Sequence, residues 1–143
     1  IMCYDEHYAG SEEAGSVSSL SYVSRGIEET QAVMDKDRII IALPFYTRVW
    51  ITDKSGKLRS EALSIKTAKA WITEKNVSLE WLSEIGQYYG SIQDGDEKKE
   101  IWMEDEKSME EKMKLLKENG IQGVAAWKLG QEPEGFWSIL TGE

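Results

Sequence analysis

The chain has 143 residues, a length that fits one ordinary domain. At 41% hydrophobic and 30% charged, its composition is that of a globular chain and not of a disordered one. The formal net charge of −9 argues against nucleic acid and against anionic membrane surfaces, both of which would repel it. A neutral sugar polymer or a small polar ligand remains compatible with it.

No apolar run approaches the roughly 20 residues that a membrane helix needs. Cys3 is the single cysteine, which excludes an internal disulfide and a cysteine-based zinc site. It reads as a small buried hydrophobe. Phosphate-binding glycine loops and nucleotide fingerprints are absent, so neither cofactor nor metal is expected.

Ile1 to Tyr4 reads as a strand already in progress, ending in polar residues. Residues 8–18 have loop composition. Ser18 or Ser19 then caps a helix to about Met34, with Leu20, Val23, Ile27 and Val33 at roughly helical spacing. The run Arg38 to Phe45 is continuously apolar after its first residue, the mark of a strand buried on both faces, and Pro44 closes its ladder. Strand–helix–strand with this pattern predicts a parallel pair.

The style then changes. Thr52 to Gly56 is a turn, Leu63 to Lys75 a helix, and Leu79–Leu82, Gln87–Gln93 and Lys98–Met103 resemble exposed antiparallel strands. Asp94-Gly95 is a hairpin signal. Ser108 to Asn119 is an amphipathic helix with Met109, Met113 and Leu116 on one stripe, and Gly120 terminates it. The acids Glu104-Asp105-Glu106 suit the positive end of that helix dipole. Ile121 to Leu129 is another apolar strand, whose Gly123 and alanines predict close packing against its backbone. Phe136 to Leu140 is a last short helix. The reading is an α/β fold with a parallel sheet and an α+β stretch in its middle. Three parallel strands leave two raw edges, so the sheet expects completion by further chain or closure by self-association.

Three segments together resemble glycoside hydrolase family 18, the chitinase-like (β/α)8 barrels. Met2-Cys3-Tyr4-Asp5 resembles the family's Met-x-Tyr-Asp at the end of the sixth barrel strand. Leu43-Pro44-Phe45-Tyr46-Thr47-Arg48-Val49-Trp50 resembles its Pro-x-Tyr-Gly-Arg-x-Trp at the end of the seventh. Gly123-Val124-Ala125-Ala126-Trp127 resembles the eighth. Tyr4-Asp5-Glu6-His7 and the stretch Trp102 to Ser108 are similar to a bacterial branch of spore cortex-lytic N-acetylglucosaminidases and sporulation-specific glycosylases. The implied architecture is the C-terminal part of the barrel, strands 6 to 8, with an α+β insertion between strands 7 and 8. Residues 1–50 would hold strand 6, helix 6 and strand 7, residues 51–103 the insertion, and residues 104–143 helix 7, strand 8 and helix 8.

Thr47 stands where many members have glycine. The fourth-strand signature Asp-x-x-Asp-x-Asp-x-Glu is missing: the nearest candidate, Asp94-Gly95-Asp96, has Lys98 where the acid should stand. The resemblance therefore implies a chain that starts after that strand and is inactive by itself. Tyr4 would donate its hydroxyl to the substrate's N-acetyl oxygen, and Asp5 would bind the sugar. Trp127 would be the apolar floor of a subsite, Tyr46 and Arg48 would bind sugar hydroxyls or brace Asp5, and Trp50 would line the cleft or pack at the insertion boundary. His7 reads as a loop residue, and Trp71, Trp81 and Trp102 as the core of the insertion. The implied partner is an N-acetylglucosamine-containing polysaccharide, peptidoglycan before chitin, at an extracellular, cell-wall or spore-associated site. A carbohydrate-binding module from a degenerate barrel is the rival reading. An unrelated flavodoxin-like domain is disfavoured, because residues 5–15 are too acidic for a phosphate loop.

Overall fold

The computed structural model describes residues 1–132 and 135–142. The elements run α1 (Leu20–Gln31), a 3-10 turn (Lys36–Arg38), β1 (Ile40–Pro44), β2 (Tyr46–Thr52), β3 (Leu58–Ser64), α2 (Ile65–Glu74), β4 (Leu79–Leu82), β5 (Gln87–Asp94), β6 (Glu97–Met103), α3 (Glu106–Glu118), β7 (Gly123–Trp127) and α4 (Phe136–Thr141). Among the described residues no helix is long and apolar enough to cross a membrane.

Two sheets form. β1 and β7 pair in parallel, from Ile40 opposite Gly123 to Pro44 opposite Trp127. The N-terminal segment lies along the other side of β1 through one parallel bridge, Met2 to Ala42, with Cys3 N–H on Ala42 O at 2.9 Å and Ala42 N–H on Ile1 O at 2.8 Å. The predicted first strand is thus reduced to a bridge, and the backbone turns away at Asp5, whose φ is 58°. The second sheet has the order β3-β2-β6-β5-β4 and is antiparallel throughout.

β1 buries its two faces unequally. Ile41 and Leu43 are fully buried against Val23 and Ile27 of α1, Met109 and Leu116 of α3 and Phe136 of α4. On the opposite face Ile40 is 55% exposed, Ala42 half-buried and Pro44 buried, so the expected cover on both sides is missing at the start of the strand among the described residues. Gly123 carries the predicted close approach: a Cβ there would stand 2.8 Å from Ile40 Cγ1 and 2.9 Å from the Ile39 carbonyl.

Helix ends follow local chemistry. Ser19 caps α1 by accepting from Tyr22 N–H, and Ser64 caps α2 by accepting from Thr67 N–H. α1 ends at Gln31, earlier than predicted, and leaves Val33 83% exposed. α3 starts two residues before Ser108, because Asp105 and Ser108 form a reciprocal capping box. The polar strand β3 was not legible: its residues alternate between small side chains and exposed charges, the pattern of a loop. β2 also runs straight on from β1 past Phe45, so the second sheet begins at Tyr46.

Candidate functional site

The ends of the parallel segments and the start of the second sheet enclose a cavity of about 220 Å³, lined by Asp5, Tyr46, Arg48, Ala62, Trp127 and Gln131. Asp5 follows the Met2 bridge, Tyr46 follows β1, and Trp127 ends β7. All three therefore stand at the C-terminal ends of parallel segments, where α/β folds place their ligands. Arg48 and Ala62 face each other across β2 and β3.

Tyr46 donates its hydroxyl to Asp5 Oδ1 at 2.5 Å. Burial pushes the Tyr46 phenol well above the usual tyrosine range, and the bond to Asp5 adds to that. The phenol is therefore a proton-bearing donor at ordinary pH, and Asp5 is braced as an acceptor. Arg48 donates from Nη1 to Ser60 Oγ at 3.0 Å, while its Nε is buried without a partner among the described residues. Trp127 is 54% exposed beside these polar groups, an apolar surface open to solvent. Tyr4 packs edge-on to Tyr46, ring centroids 6.3 Å apart, next to the cavity and not in its lining.

Of the two readings of Trp50, the structure shows the packed one. It is 1% exposed, and its indole N–H donates to Gly15 O at 2.8 Å under the loop of residues 6–19. A buried indole needs such a partner, and the loop that supplies it also covers the ring. His7 is held in that loop by Ser16 O at 2.8 Å from Nδ1 and stands edge-on to Trp50. Gly15 is required there, since a Cβ would lie 2.4 Å from the imidazole. Cys3 is buried as expected. Trp71, Trp81 and Trp102 are half-buried: Trp71 packs on the core, Trp81 lies under Lys107 Nζ at 3.7 Å, and Trp102 lies against Tyr89.

Sequence reasoning missed Ala62 and Gln131, which line the cavity from an unpredicted strand and from the segment after β7. It also misread Glu104. Asp105 and Glu106 do begin α3, but Glu104 is wholly buried and paired with the equally buried Lys112 at 2.7 Å. The signal was Lys112 itself, which falls on the apolar stripe of Met109, Met113 and Leu116 and so needs a buried anion. Among the described residues no group of three His, Cys, Asp or Glu converges as a metal ion would require. A larger open groove of about 530 Å³ lies between α3 and α4, lined by Met113, Lys114, Lys117 and Ile139 among others, apart from this constellation.

Comparison with known proteins bears on this arrangement. The chain is 35% identical over 133 residues to the Bacillus subtilis protein YdhD, provisionally named a sporulation-specific glycosylase, covering 90% of this chain and 31% of that protein. It is 25% identical over 143 residues to the cortical fragment-lytic enzyme of Bacillus anthracis, covering 99% of this chain and 33% of the enzyme. The crystal structure of the Bacillus cereus spore cortex-lytic enzyme SleL superimposes with a TM-score of 0.88 at 26% identity, over 99% of this chain and 34% of that one. The chain thus spans about a third of the length of these relatives. Its α/β fold is similar to the C-terminal part of chitinase-like domains. Residues 1–132 match glycosyl hydrolases family 18, and the chain belongs to that family.

Proposed function

We propose that this chain supplies the substrate-holding side of a retaining glycosidase site for N-acetylglucosamine-containing polysaccharide, peptidoglycan before chitin. The observation that carries the reading is the convergence of Asp5, Tyr46, Arg48 and Trp127 on one cavity. These four residues lie up to 122 positions apart in the chain, 127 minus 5, and three separate motifs deliver them.

The chemistry follows from what each group can do. A half-exposed indole stacks on the apolar face of a pyranose, as aromatic surfaces with wet edges do. Asp5, already accepting from Tyr46, has lone pairs left for a sugar hydroxyl or amide N–H. The Arg48 guanidinium, with a buried N–H unpaired among the described residues, is a donor that an acceptor would satisfy. Tyr4, beside Tyr46, would donate to the acetamido oxygen of the sugar. Family 18 is an exception to the two-carboxylate scheme, because the substrate's own N-acetyl oxygen attacks the anomeric carbon. The protein then orients that group and stabilises the cation that develops on it.

In barrel terms, residues 1–50 would carry strand 6, helix 6 and strand 7, residues 51–103 an α+β insertion, and residues 104–143 helix 7, strand 8 and helix 8. The names of the spore cortex-lytic relatives support a cell-wall or spore-associated setting. Among the described residues, the one carboxylate in the cavity lining is Asp5, and it serves as an acceptor from Tyr46. Among the described residues no group in that lining is suited to protonate a leaving oxygen, so the chain alone should hold sugar without cleaving it. That feature favours the second reading, a non-catalytic carbohydrate-binding module, for the isolated chain.

Co-sedimentation with purified peptidoglycan, followed by a reducing-end assay, tests the proposal. Retention of the chain without release of reducing ends is the expected result. Hydrolysis would remove the claim of inactivity, and failure to bind would remove the substrate-holding role.

A further inference from the structure

A buried polar chain, unused by the reading above, runs from α3 to the loop behind Asp5. Lys112 Nζ donates to both oxygens of Glu104, at 2.7 and 2.9 Å. Ser108 Oγ donates to Glu104 Oε1 at 2.6 Å, and Gln87 Nε2 to Oε2 at 2.6 Å. Gln87 Oε1 accepts from Ser16 Oγ at 2.6 Å, and Ser16 Oγ accepts from Ser18 N–H at 2.9 Å. Gln87, Glu104, Ser108 and Lys112 are all fully buried.

Such a cluster is poorly explained by stability alone. An ion pair taken wholly out of water roughly breaks even, and apolar residues of the same volume would pack as well. Its value lies in direction. A carboxylate only accepts, so Glu104 turns the Gln87 amide nitrogen toward itself and the amide oxygen toward Ser16. That oxygen fixes the Ser16 hydroxyl. Ser16 O then accepts from His7 N–H at 3.2 Å, besides its contact with His7 Nδ1, and the neighbouring Val17 O accepts from Glu6 N–H at 2.9 Å. Glu6 and His7 are the two residues that follow Asp5. Asp5 holds a left-handed φ of 58°, which a residue other than glycine keeps only where its surroundings impose it.

We propose that Gln87, Glu104 and Lys112 are positioning residues that lock the segment carrying Asp5 and so set the shape of the cavity. What the cavity binds rests on the proposed function. The locking of Asp5 does not.

Four proteins test this: the wild-type chain, Gln87→Glu, the exchange variant Gln87→Glu with Glu104→Gln, and Val77→Ala. Gln87→Glu keeps the size but sets a second carboxylate against Glu104. The exchange variant swaps amide and carboxylate, so that Ser16 Oγ and the amide nitrogen at 104 donate to a carboxylate at 87, while Lys112 keeps only the oxygen at 104 that stands in for Oε1. Val77→Ala removes buried volume away from the chain and controls for lowered stability. Amide 1H–15N spectra and titration with an N-acetylglucosamine tetramer are the readouts.

Gln87→Glu should move the Asp5, Glu6 and His7 amides and weaken the tetramer by about 10- to 100-fold. The exchange variant restores the link to Ser16 and should recover part of both, and Val77→Ala should change neither. If Gln87→Glu does not fold, Ser16→Ala, which removes one hydroxyl link, takes its place with the same expectation. A variant that lowers the melting temperature while the Asp5–His7 amides stay in place would overturn the inference, as would an exchange variant that recovers stability without those amides. Amides that move as expected in a protein whose wild type binds no tetramer would uphold the positioning and overturn the functional reading.

Discussion

The parallel pair β1–β7 and the five-stranded sheet are built from opposite kinds of sequence, and the cavity lies where they meet. The pair is apolar and sparsely joined: it has five residues to a strand, one face on Ile41 and Leu43, and Ile40 bare on the other. The larger sheet carries charges on both sides and is tied by cross-strand ion pairs such as Arg59 to Glu97 at 2.7 Å. Trp127 and Asp5 come from the first region; Arg48 and Ala62 come from the second. The parallel region offers strand ends that converge. The antiparallel region offers the rigid wall against which they are held.

Four changes would break or sharpen that division. The largest effect is expected from Lys112→Met, which leaves Glu104 buried without its cation and should lower stability by about 3–5 kcal/mol in urea unfolding. A loss within the range of ordinary surface substitutions would mean that the buried pair does not anchor the wall. Next comes Gly123→Ala in the parallel pair. The added Cβ meets the Ile39 backbone at 2.9 Å, which cannot swing aside, and the expected loss is about 1–3 kcal/mol. Spectra of this variant should move at β1 and β7 and stay unchanged at β4 and β5.

Trp127→Ala separates binding from folding. The residue is 54% exposed, so unfolding free energy should change by only about 0.5 kcal/mol, while sugar binding should be lost. A large stability loss would return Trp127 to the core. The smallest effect concerns Tyr46. Its folded pKa is raised by burial, so the folded state keeps a proton that the unfolded state gives up near pH 10. The sign follows: this contribution is fully present below about pH 10 and is lost as pH rises further. Wild type should therefore lose stability more steeply above pH 10 than Tyr46→Phe, in melting curves taken across that range.

The two regions also differ in how far they could be read from sequence. Unbroken apolar runs announced β1 and β7, and the parallel pairing followed from them. The cap of α1 at Ser19 was written in local chemistry, whereas Ser64, which caps α2, fell inside a helix predicted to start at Leu63. β3 was invisible because Arg59 answers Glu97 on β6, beyond the intervening β2, and alternation alone cannot reveal such a partner. Of the six site residues named from sequence, Asp5, Tyr46, Arg48 and Trp127 line one cavity, and Tyr4 stands beside it. Trp50 does not, because a loop that sequence could not place folds over it and takes its N–H. Glu104 was hidden by its neighbours: three acids in a row at a helix start have one obvious explanation, and only Lys112 on an apolar stripe contradicts it.

The most direct test is a titration of the chain with an N-acetylglucosamine tetramer and, separately, with a glucose tetramer of the same linkage. The Trp127 indole N–H and the Asp5 amide resonances would be followed. Saturable shifts at both positions with the N-acetylated sugar alone are the predicted result. Equal responses to the two sugars, or shifts confined to the α3–α4 groove, would contradict the assignment of this cavity as an N-acetylglucosamine site.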